Sequence, residues 1–331
     1  MDVALIGSNF ALKGYLPALV KIKQYKLKII CSRNIKKIYE NNLNFKNIIL
    51  ENNWKKVFKK NIKLIILAVP PVLQEKIINY NFKYKKKLIF EKPISHNYSK
   101  SKKIVELLKK RKINSEINLT YLSHDLFEKC KSIISKKKLG RVKHYNISWS
   151  IKSMDFNKKI KTWKTIEGQG GGIKNIFLTH VLSYCEHFFG SNRLNSVKIK
   201  YSRFKGIEYK RHISLNISNP NDINGKVTVF NKKNGLQNHR IKISFEKGNI
   251  HLFTKSKDWT KDFILRIQTK NKTTKIKSIN ATNGKLFAQE LDELDDNKSE
   301  YKRLLHNTVE NIFTYYIFQD DNVDQYYRKN K

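Results

Sequence analysis

Four short apolar runs, Val3-Ala4-Leu5-Ile6-Gly7, Lys28-Ile29-Ile30, Leu64-Ile65-Ile66-Leu67-Ala68-Val69 and Leu88-Ile89-Phe90, are separated by segments that carry apolar residues at helical spacing. Runs of this length that end in turn residues read as strands buried on both faces. Alternation of such strands with helices builds βαβ units, and a series of those units forms a doubly wound parallel sheet. Ligands of these sheets sit outside the carboxyl ends of the strands. The residues that follow each run are therefore the candidates for chemistry.

Three strand ends stand out. The first run leads into Gly7-Ser8-Asn9-Phe10-Ala11, followed by an expected helix over Leu12–Lys23 with Leu16, Leu19, Val20 and Ile22 on its apolar face. A glycine turn before a helix N-terminus suits a pyrophosphate, because backbone N–H groups point outward and the missing Cβ lets the backbone approach. The third run ends in Pro70-Pro71, which cannot continue a ladder and turns the chain over the sheet edge. The fourth ends in Glu91-Lys92-Pro93, which delivers an ammonium group to a strand end.

Downstream, Tyr98–Lys112 reads as a helix and Ile113–Tyr121 as the last strand of this sheet, which divides the chain into domains 1–120 and 121–331. Leu126–Lys138 is amphipathic and stops at Leu139-Gly140, as a glycine-terminated helix does. Alternation over Val142–Ile151 opens an antiparallel sheet with one buried face and places His144 on the solvent side. After Trp163-Lys164 and a glycine cluster over residues 168–172, a helix is expected over Ile173–Phe189. Its apolar face carries Ile176, Phe177, His180, Val181, Tyr184 and Phe188. Strand patterns recur from Val197 to Lys277 with a hairpin turn at Glu246-Lys247-Gly248-Asn249, and a late amphipathic helix is expected over Tyr301–Phe318.

Leu5-Ile6-Gly7-Ser8-Asn9-Phe10, Leu16-Pro17-Ala18-Leu19, Ala68-Val69-Pro70-Pro71-Val72-Leu73-Gln74 and Glu91-Lys92-Pro93, in that order and spacing, resemble the Gfo/Idh/MocA family of NAD(P)-dependent oxidoreductases. Leu139-Gly140-Arg141-Val142 and Gly170-Gly171-Gly172 with His180 add to the resemblance, which is clear to about Gly190 and poor over the C-terminal end. It implies an N-terminal Rossmann domain and a C-terminal α+β domain with a large, mostly antiparallel open sheet whose outer face pairs with a second subunit. It also implies hydride transfer between a nicotinamide cofactor and a secondary alcohol or ketone of a sugar, nucleotide sugar or cyclitol. Under the resemblance Gly7, Ser8, Asn9, Phe10, Ala11, Ser32, Arg33, Ala68, Pro70, Pro71, Gln74, Glu91 and Lys92 contact the cofactor, with Gln74 near the nicotinamide ribose. Lys92 and His180, which lies eight residues past Gly172, become the catalytic pair, with Trp163, Lys164, Asn175 and Tyr184 as substrate-side candidates. A lysine at that strand end can donate to a carbonyl oxygen or, when its pKa is lowered, take a proton, and histidine has a suitable pKa unperturbed.

The sequence departs from the family pattern in places. Asn9 and Ala11 stand where relatives carry glycines, Asn being a side chain that tolerates positive φ, and Ile176 stands where relatives carry an aspartate. These departures keep a second reading open, a catalytically weak or inactive dinucleotide- or sugar-binding regulatory protein. The second strand ends in Cys31-Ser32-Arg33-Asn34, without the acid that accepts the ribose hydroxyls of NAD. An arginine beside a serine suits a 2′-phosphate, so NADP is preferred over NAD.

A formal charge of +41 raises nucleic-acid binding as a third class. The lysines, however, are scattered in short pieces at Lys36, Lys55, Lys85, Lys102, Lys136, Lys158 and Lys232, which is the distribution of solvated faces, and no specific nucleic-acid partner is expected. Cys31, Cys130 and Cys185 lie far apart, with no metal-binding spacing, so no metal is expected and a reducing compartment suits the chain. No cationic leader precedes the first apolar run and Gly7-Ser8 cuts that run short, so a cytoplasmic protein off the membrane is expected.

Overall fold

The computed structural model describes residues 1–20, 22–39, 47–232, 234–258 and 260–278. They form two compact units, 1–118 and 119–278. The helix expected over Tyr301–Phe318 and the segment Asp321–Lys331 lie outside the described residues.

Among the described residues the first unit holds a six-stranded sheet of β1 (Asp2–Ile6), β2 (Lys26–Cys31), β3 (Ile49–Glu51), β4 (Leu64–Leu67), β5 (Lys87–Glu91) and β6 (Ser115–Asn118), in the order β3-β2-β1-β4-β5-β6. Every pairing is parallel, and the order reverses between β1 and β4. β1 and β4 are buried along almost their whole length, because helices cover both faces of such a sheet. Val3, Leu5, Leu64, Ile66 and Ile89 share one core with Leu12, Tyr15, Leu16 and Leu19, each large apolar side chain contributing about 1.5–3 kcal/mol on burial. β3 escaped the sequence reading: it is a three-residue edge strand with Ile49 51% exposed, too short and too wet to show a period.

The first helix differs from expectation. Residues Ala11–Tyr15 form a π turn, closed by the Leu16 N–H donating to Ala11 O, and only Leu16–Leu19 is α-helical. Pro17 has no N–H to bond one turn back, so the ladder widens there. Val20, expected on the apolar face, is 70% exposed.

Among its described residues the second unit holds an eight-stranded sheet. Its strands are β7 (Val142–Ile151), β8 (Arg193–Phe204), β9 (Ile207–Asn219), β10 (Ile223–Asn231), β11 (Asn238–Phe245), β12 (Asn249–Thr254), β13 (Ile264–Gln268) and β14 (Thr273–Lys277). Their order is β14-β13-β12-β11-β7-β10-β9-β8, and β7 pairs parallel with β10 while every other pairing is antiparallel. β7 therefore lies inside the sheet, antiparallel to β11 and parallel to β10. Tyr145, Ile147 and Trp149 are buried on its inner face, and His144 and Asn146 are exposed on the other, as the alternation predicts. Tyr145 stacks on Phe189 at 4.2 Å and Trp149 meets Phe177 edge-on, which seats the helical segment 174–189 on the inner face.

That segment is a π stretch, Lys174–Leu178, followed by the α-helix Thr179–Phe189. The preceding helix runs Asp125–Ser135 and ends through Lys137 at φ 49, with Gly140 at φ 78 in the following turn, so the left-handed position next to the helix is taken by a lysine and not by the expected glycine.

Candidate active site

The site in the first unit is built at the strand ends. Gly7 takes φ +139 and donates its N–H to Cys31 O at 2.9 Å. A Cβ here would stand 2.3 Å from Ala68 O, so only glycine lets the end of β1 pass beneath the end of β4. This is the position where the strand order reverses, the crevice in which doubly wound sheets hold dinucleotides. Ser8 is half-buried and Asn9 exposed at the head of the helical turn, while the Phe10 ring stands edge-on to Tyr15. Asn9 does not adopt positive φ, so its place here owes nothing to that tolerance. Ala11 is wholly buried, its methyl packed toward Gly7.

At the end of β2, Ser32 is buried and its Oγ accepts the Asn34 N–H at 3.1 Å, while Arg33 is exposed. Sequence alone hid a neighbour: Glu51 pairs with Cys31 in register. Its Oε1 accepts the N–H groups of Asn52 and Asn53 and lies 3.8 Å from Lys56 Nζ, which turns it toward its own loop. Burial, with the Glu51 charge, pushes the Cys31 thiol up to about 12.

Pro71 opens the helix Pro71–Tyr84, and Ala68 and Pro70 stay half-buried at its entrance. Gln74 is 0% exposed and does not reach outward to a ribose. Its Nε2 donates to the carbonyls of Glu91 (2.6 Å), Pro93 (3.0 Å) and Ile94 (3.0 Å), and its Oε1 accepts the Glu91 N–H at 2.9 Å. Both ends of this carboxamide bond to backbone, which shapes the turn around Lys92. Lys92 is half-buried at the carboxyl end of β5, and its peptide bond to Pro93 is cis.

The Glu91 side chain is likewise turned inward. Tyr15 Oη donates to Glu91 Oε1, and Asn118 Nδ2 donates to the same oxygen at 2.9 Å and to Tyr15 Oη at 2.7 Å. Burial pushes the Glu91 carboxyl up, opposed by Tyr15, by the Lys92 charge and by Asn118. The sequence reading missed Tyr15 and Asn118. The signal available was a polar residue inside an apolar strand at Asn118, which must find a partner when buried.

In the second unit His180 is 4% exposed, its ring edge-on to Tyr121 at 5.2 Å. Trp163 is half-buried and Lys164 exposed. Two of the substrate-side candidates lie inside the unit. Asn175 is buried with Nδ2 donating to Gly171 O at 2.8 Å, and Tyr184 is buried with its hydroxyl bonded to His239 Nε2 at 2.9 Å. The glycine cluster also has an internal cause: a Cβ on Gly171 would stand 2.2 Å from Trp163 O, and one on Gly172 2.7 Å from Glu167 Cγ. Glu167 is held in turn by the buried Lys210, whose Nζ donates to Oε2 at 2.6 Å.

The outer face of the second sheet is cationic. Lys226, Asn146, Lys242, His251, Arg266 and Lys275 face one another in a row across six strands that contains no carboxylate. A concavity of about 500 Å³ lies on this face, lined in part by His144, Asn216, Asn224, Lys226 and Lys242. Burial and the charges of Lys242, Arg240 and Arg266 bring the His251 imidazole down to about 4. Among the described residues no group of three His, Cys, Asp or Glu is placed to hold a metal ion, and no helix is long and apolar enough to cross a membrane.

A parallel sheet with a glycine turn beneath Ala68 at its reversal point defines a dinucleotide-binding fold, and the residues at that turn fit such a cofactor. Comparison with known proteins gives the particular family. Residues 1–116 match the oxidoreductase family with an NAD-binding Rossmann fold, and residues 127–251 match the GFO/IDH/MocA C-terminal domain. The chain belongs to the Gfo/Idh/MocA oxidoreductases.

An uncharacterized oxidoreductase of Schizosaccharomyces pombe is 22% identical over 160 residues, which cover 48% of this chain and 43% of that protein, less than half of its length. Among solved structures, a mutant of a 3-ketoreductase from Actinomadura kijaniata in complex with TDP-benzene and NADP superposes with TM-score 0.77 at 13% identity, covering 96% of this chain and 94% of its own. A levoglucosan dehydrogenase in complex with NADH gives 0.79 at 14% identity, with 97% and 95% covered. An oxidoreductase from Thermotoga maritima gives 0.78 at 18% identity, with 98% and 95% covered. At these identities the likeness is one of fold.

Proposed function

We propose that this protein is an NADP-preferring oxidoreductase that acts on a secondary alcohol or ketone of a sugar, nucleotide sugar or cyclitol, with Lys92 handling the hydroxyl proton. The observation that carries the reading is the position of Lys92: a half-buried ammonium at the carboxyl end of β5, one strand from the reversal point, on a turn fixed by Gln74. The bound nicotinamide would supply the hydride chemistry. The chain's part is to seat the pyrophosphate on the turn Gly7 to Ala11, to border the nicotinamide ribose with Ala68 and Pro70, and to hold the Lys92 proton near the reacting oxygen.

The exposed Arg33 beside Ser32, with Glu51 occupied by its own loop, supports a 2′-phosphate and hence NADP. A sugar-like substrate is supported by the ketoreductase and the levoglucosan dehydrogenase among the fold relatives. His180 is put forward as the second proton-handling group, and Trp163 and Lys164 as substrate contacts, on the family resemblance. Pairing of two copies through the outer face of the second sheet belongs to the same reading, as does a cytoplasmic setting, which the three buried free thiols suit.

The test is a thermal-shift comparison of NADP+, NAD+ and no ligand, followed by NADP+ reduction against a panel of polyols and sugars. The expected result is a larger shift with NADP+, together with turnover that Lys92→Met abolishes without removing the shift. No shift with either dinucleotide overturns the redox reading. A shift with no turnover on any substrate leaves the regulatory protein.

A further inference from the structure

The outer face of the second sheet carries a hollow that the redox reading does not use. The helical segment 174–189, which bears His180, packs on the inner face through Phe189 against Tyr145 and Phe177 against Trp149. The concavity of about 500 Å³ therefore lies on the other side of the sheet from that histidine, crossing β8, β9, β10, β7 and β11. Its volume is that of a small-molecule site.

Shape and charge have separate causes here. The register of β8 on β9 shifts between Leu194 and Ser196, which leaves Asn195 as an extra residue, and this bulge brings Asn195 into the lining. Ser218 Oγ donates to Asn195 Oδ1 at 3.1 Å, and Asn216 Nδ2 donates to Ser196 Oγ at 2.8 Å. Those bonds orient the two amides and, among the described residues, leave Asn195 Nδ2 and Asn216 Oδ1 open to a ligand.

The charge sits at the centre. Asn146 of β7 stands in register with Lys226 of β10 on one side and Lys242 of β11 on the other. Two ammonium groups thus flank one amide, on backbones roughly 10 Å apart, twice the strand spacing. Elsewhere lysines meet carboxylates, as Lys56, Lys100 and Lys210 do. Among the described residues no carboxylate lines this hollow, and no ion pair reaches Lys226 or Lys242. An anion between the two lysines removes their mutual repulsion and gains charge-assisted hydrogen bonds, and a phosphate has oxygens enough to take both. The amides beside it exchange hydrogen bonds with hydroxyl groups.

We propose that this hollow binds a sugar phosphate, with the phosphate between Lys226 and Lys242 and the sugar hydroxyls against Asn195 and Asn216. The site is independent of the nicotinamide chemistry proposed above. A phosphate held here also offsets the repulsion that pairing of two copies through this face meets.

The probe is glucose 6-phosphate, titrated calorimetrically into the full chain at constant ionic strength, first without NADP+ and then with NADP+ at saturation. Inorganic phosphate, sulfate and glucose are titrated alongside. Glucose 6-phosphate is expected to bind in both conditions and roughly tenfold more tightly than inorganic phosphate, because the hydroxyl contacts are added. Lys226→Gln and Lys242→Gln, at exposed positions, are each expected to weaken it roughly tenfold. Asn195→Ala is expected to weaken glucose 6-phosphate about fivefold and to leave inorganic phosphate unchanged. Lys275→Gln, on the same cationic row but three strands from Lys242, is expected to change neither.

No binding by the parent chain overturns the proposal. Equal affinity for glucose 6-phosphate, inorganic phosphate and sulfate overturns it too, since nothing then reads the sugar. A loss in Lys275→Gln as large as that in Lys226→Gln shows attraction by the general field of the face, with the same consequence. Binding that neither lysine variant weakens puts the probe elsewhere on the molecule and also refutes the site. The NADP+ thermal shift is expected to stay at its parent value in all four variants. Its absence from the parent removes the redox reading and leaves this site standing.

Discussion

Replacing Gln74 by leucine keeps nearly the same volume at a wholly buried site and removes every polar bond the side chain makes. Its two N–H hydrogens are shared among three carbonyls, and its oxygen accepts the Glu91 N–H, which amounts to three full hydrogen bonds. At about 1 kcal/mol net for each, the turn loses about 3 kcal/mol, and more where the stranded backbone groups find no water. In amide hydrogen exchange followed by mass spectrometry, peptides covering residues 87–94 are expected to exchange roughly 100-fold faster in Gln74→Leu, because each 1.4 kcal/mol is a factor of ten in the opening equilibrium. Gln74→Glu sharpens the test. A carboxylate keeps the acceptor for Glu91 N–H but turns a second oxygen against three carbonyls, and only the protonated acid restores a donor. The folded-state pKa of that acid is thus raised, so stability is present at low pH and lost as pH rises through it. Unchanged protection of 87–94 in Gln74→Leu, or a Gln74→Glu variant as stable as the parent at neutral pH, refutes the clamp.

Gly7→Ala places a methyl 2.3 Å from Ala68 O at φ +139, so a loss of at least about 2 kcal/mol in urea unfolding is expected, together with loss of the NADP+ thermal shift. His239 stacks on Trp149 at 4.2 Å, bonds to Tyr184 and is brought down to about 3 by burial and by His124. Its stabilising contribution is complete above the unfolded pKa of about 6.5 and falls by about 1.4 kcal/mol per pH unit as pH drops toward 3, a slope that His239→Gln reduces in urea midpoints measured from pH 7 to 4.5. Pairing through the outer face would set Lys226, Lys242, Arg266 and Lys275 against their like, so association measured by sedimentation is expected to strengthen with added salt, and the opposite trend excludes that face as the interface.

What the sequence by itself determined was whatever local period and turn chemistry encode. Apolar runs of strand length fixed β1, β4 and β5, their alternation with helices implied a parallel sheet, and Gly7 and Lys92 fell at strand ends because runs stop where the backbone must turn. Alternation likewise gave the inner and outer faces of β7, though not its parallel partner β10, since pairing across about eighty residues leaves no mark on either strand. Three-residue β3 and the π turns at Ala11–Tyr15 and Lys174–Leu178 were invisible for the converse reason, being local adjustments to Pro17 and to packing.

The site residues divide along the same line. A side chain's type is written in the sequence, but its direction is not, and the bonds of Gln74, Asn175 and Tyr184 to backbone and imidazole could not be read from it. Tyr15, Glu91 and Asn118 meet only because the helical turn after β1 lies over the ends of β5 and β6, in a sheet whose order is not the order of the chain. Hydrogen bonds between residues far apart in sequence become possible when folding excludes water from the space between them, and so that network belongs to the tertiary structure alone.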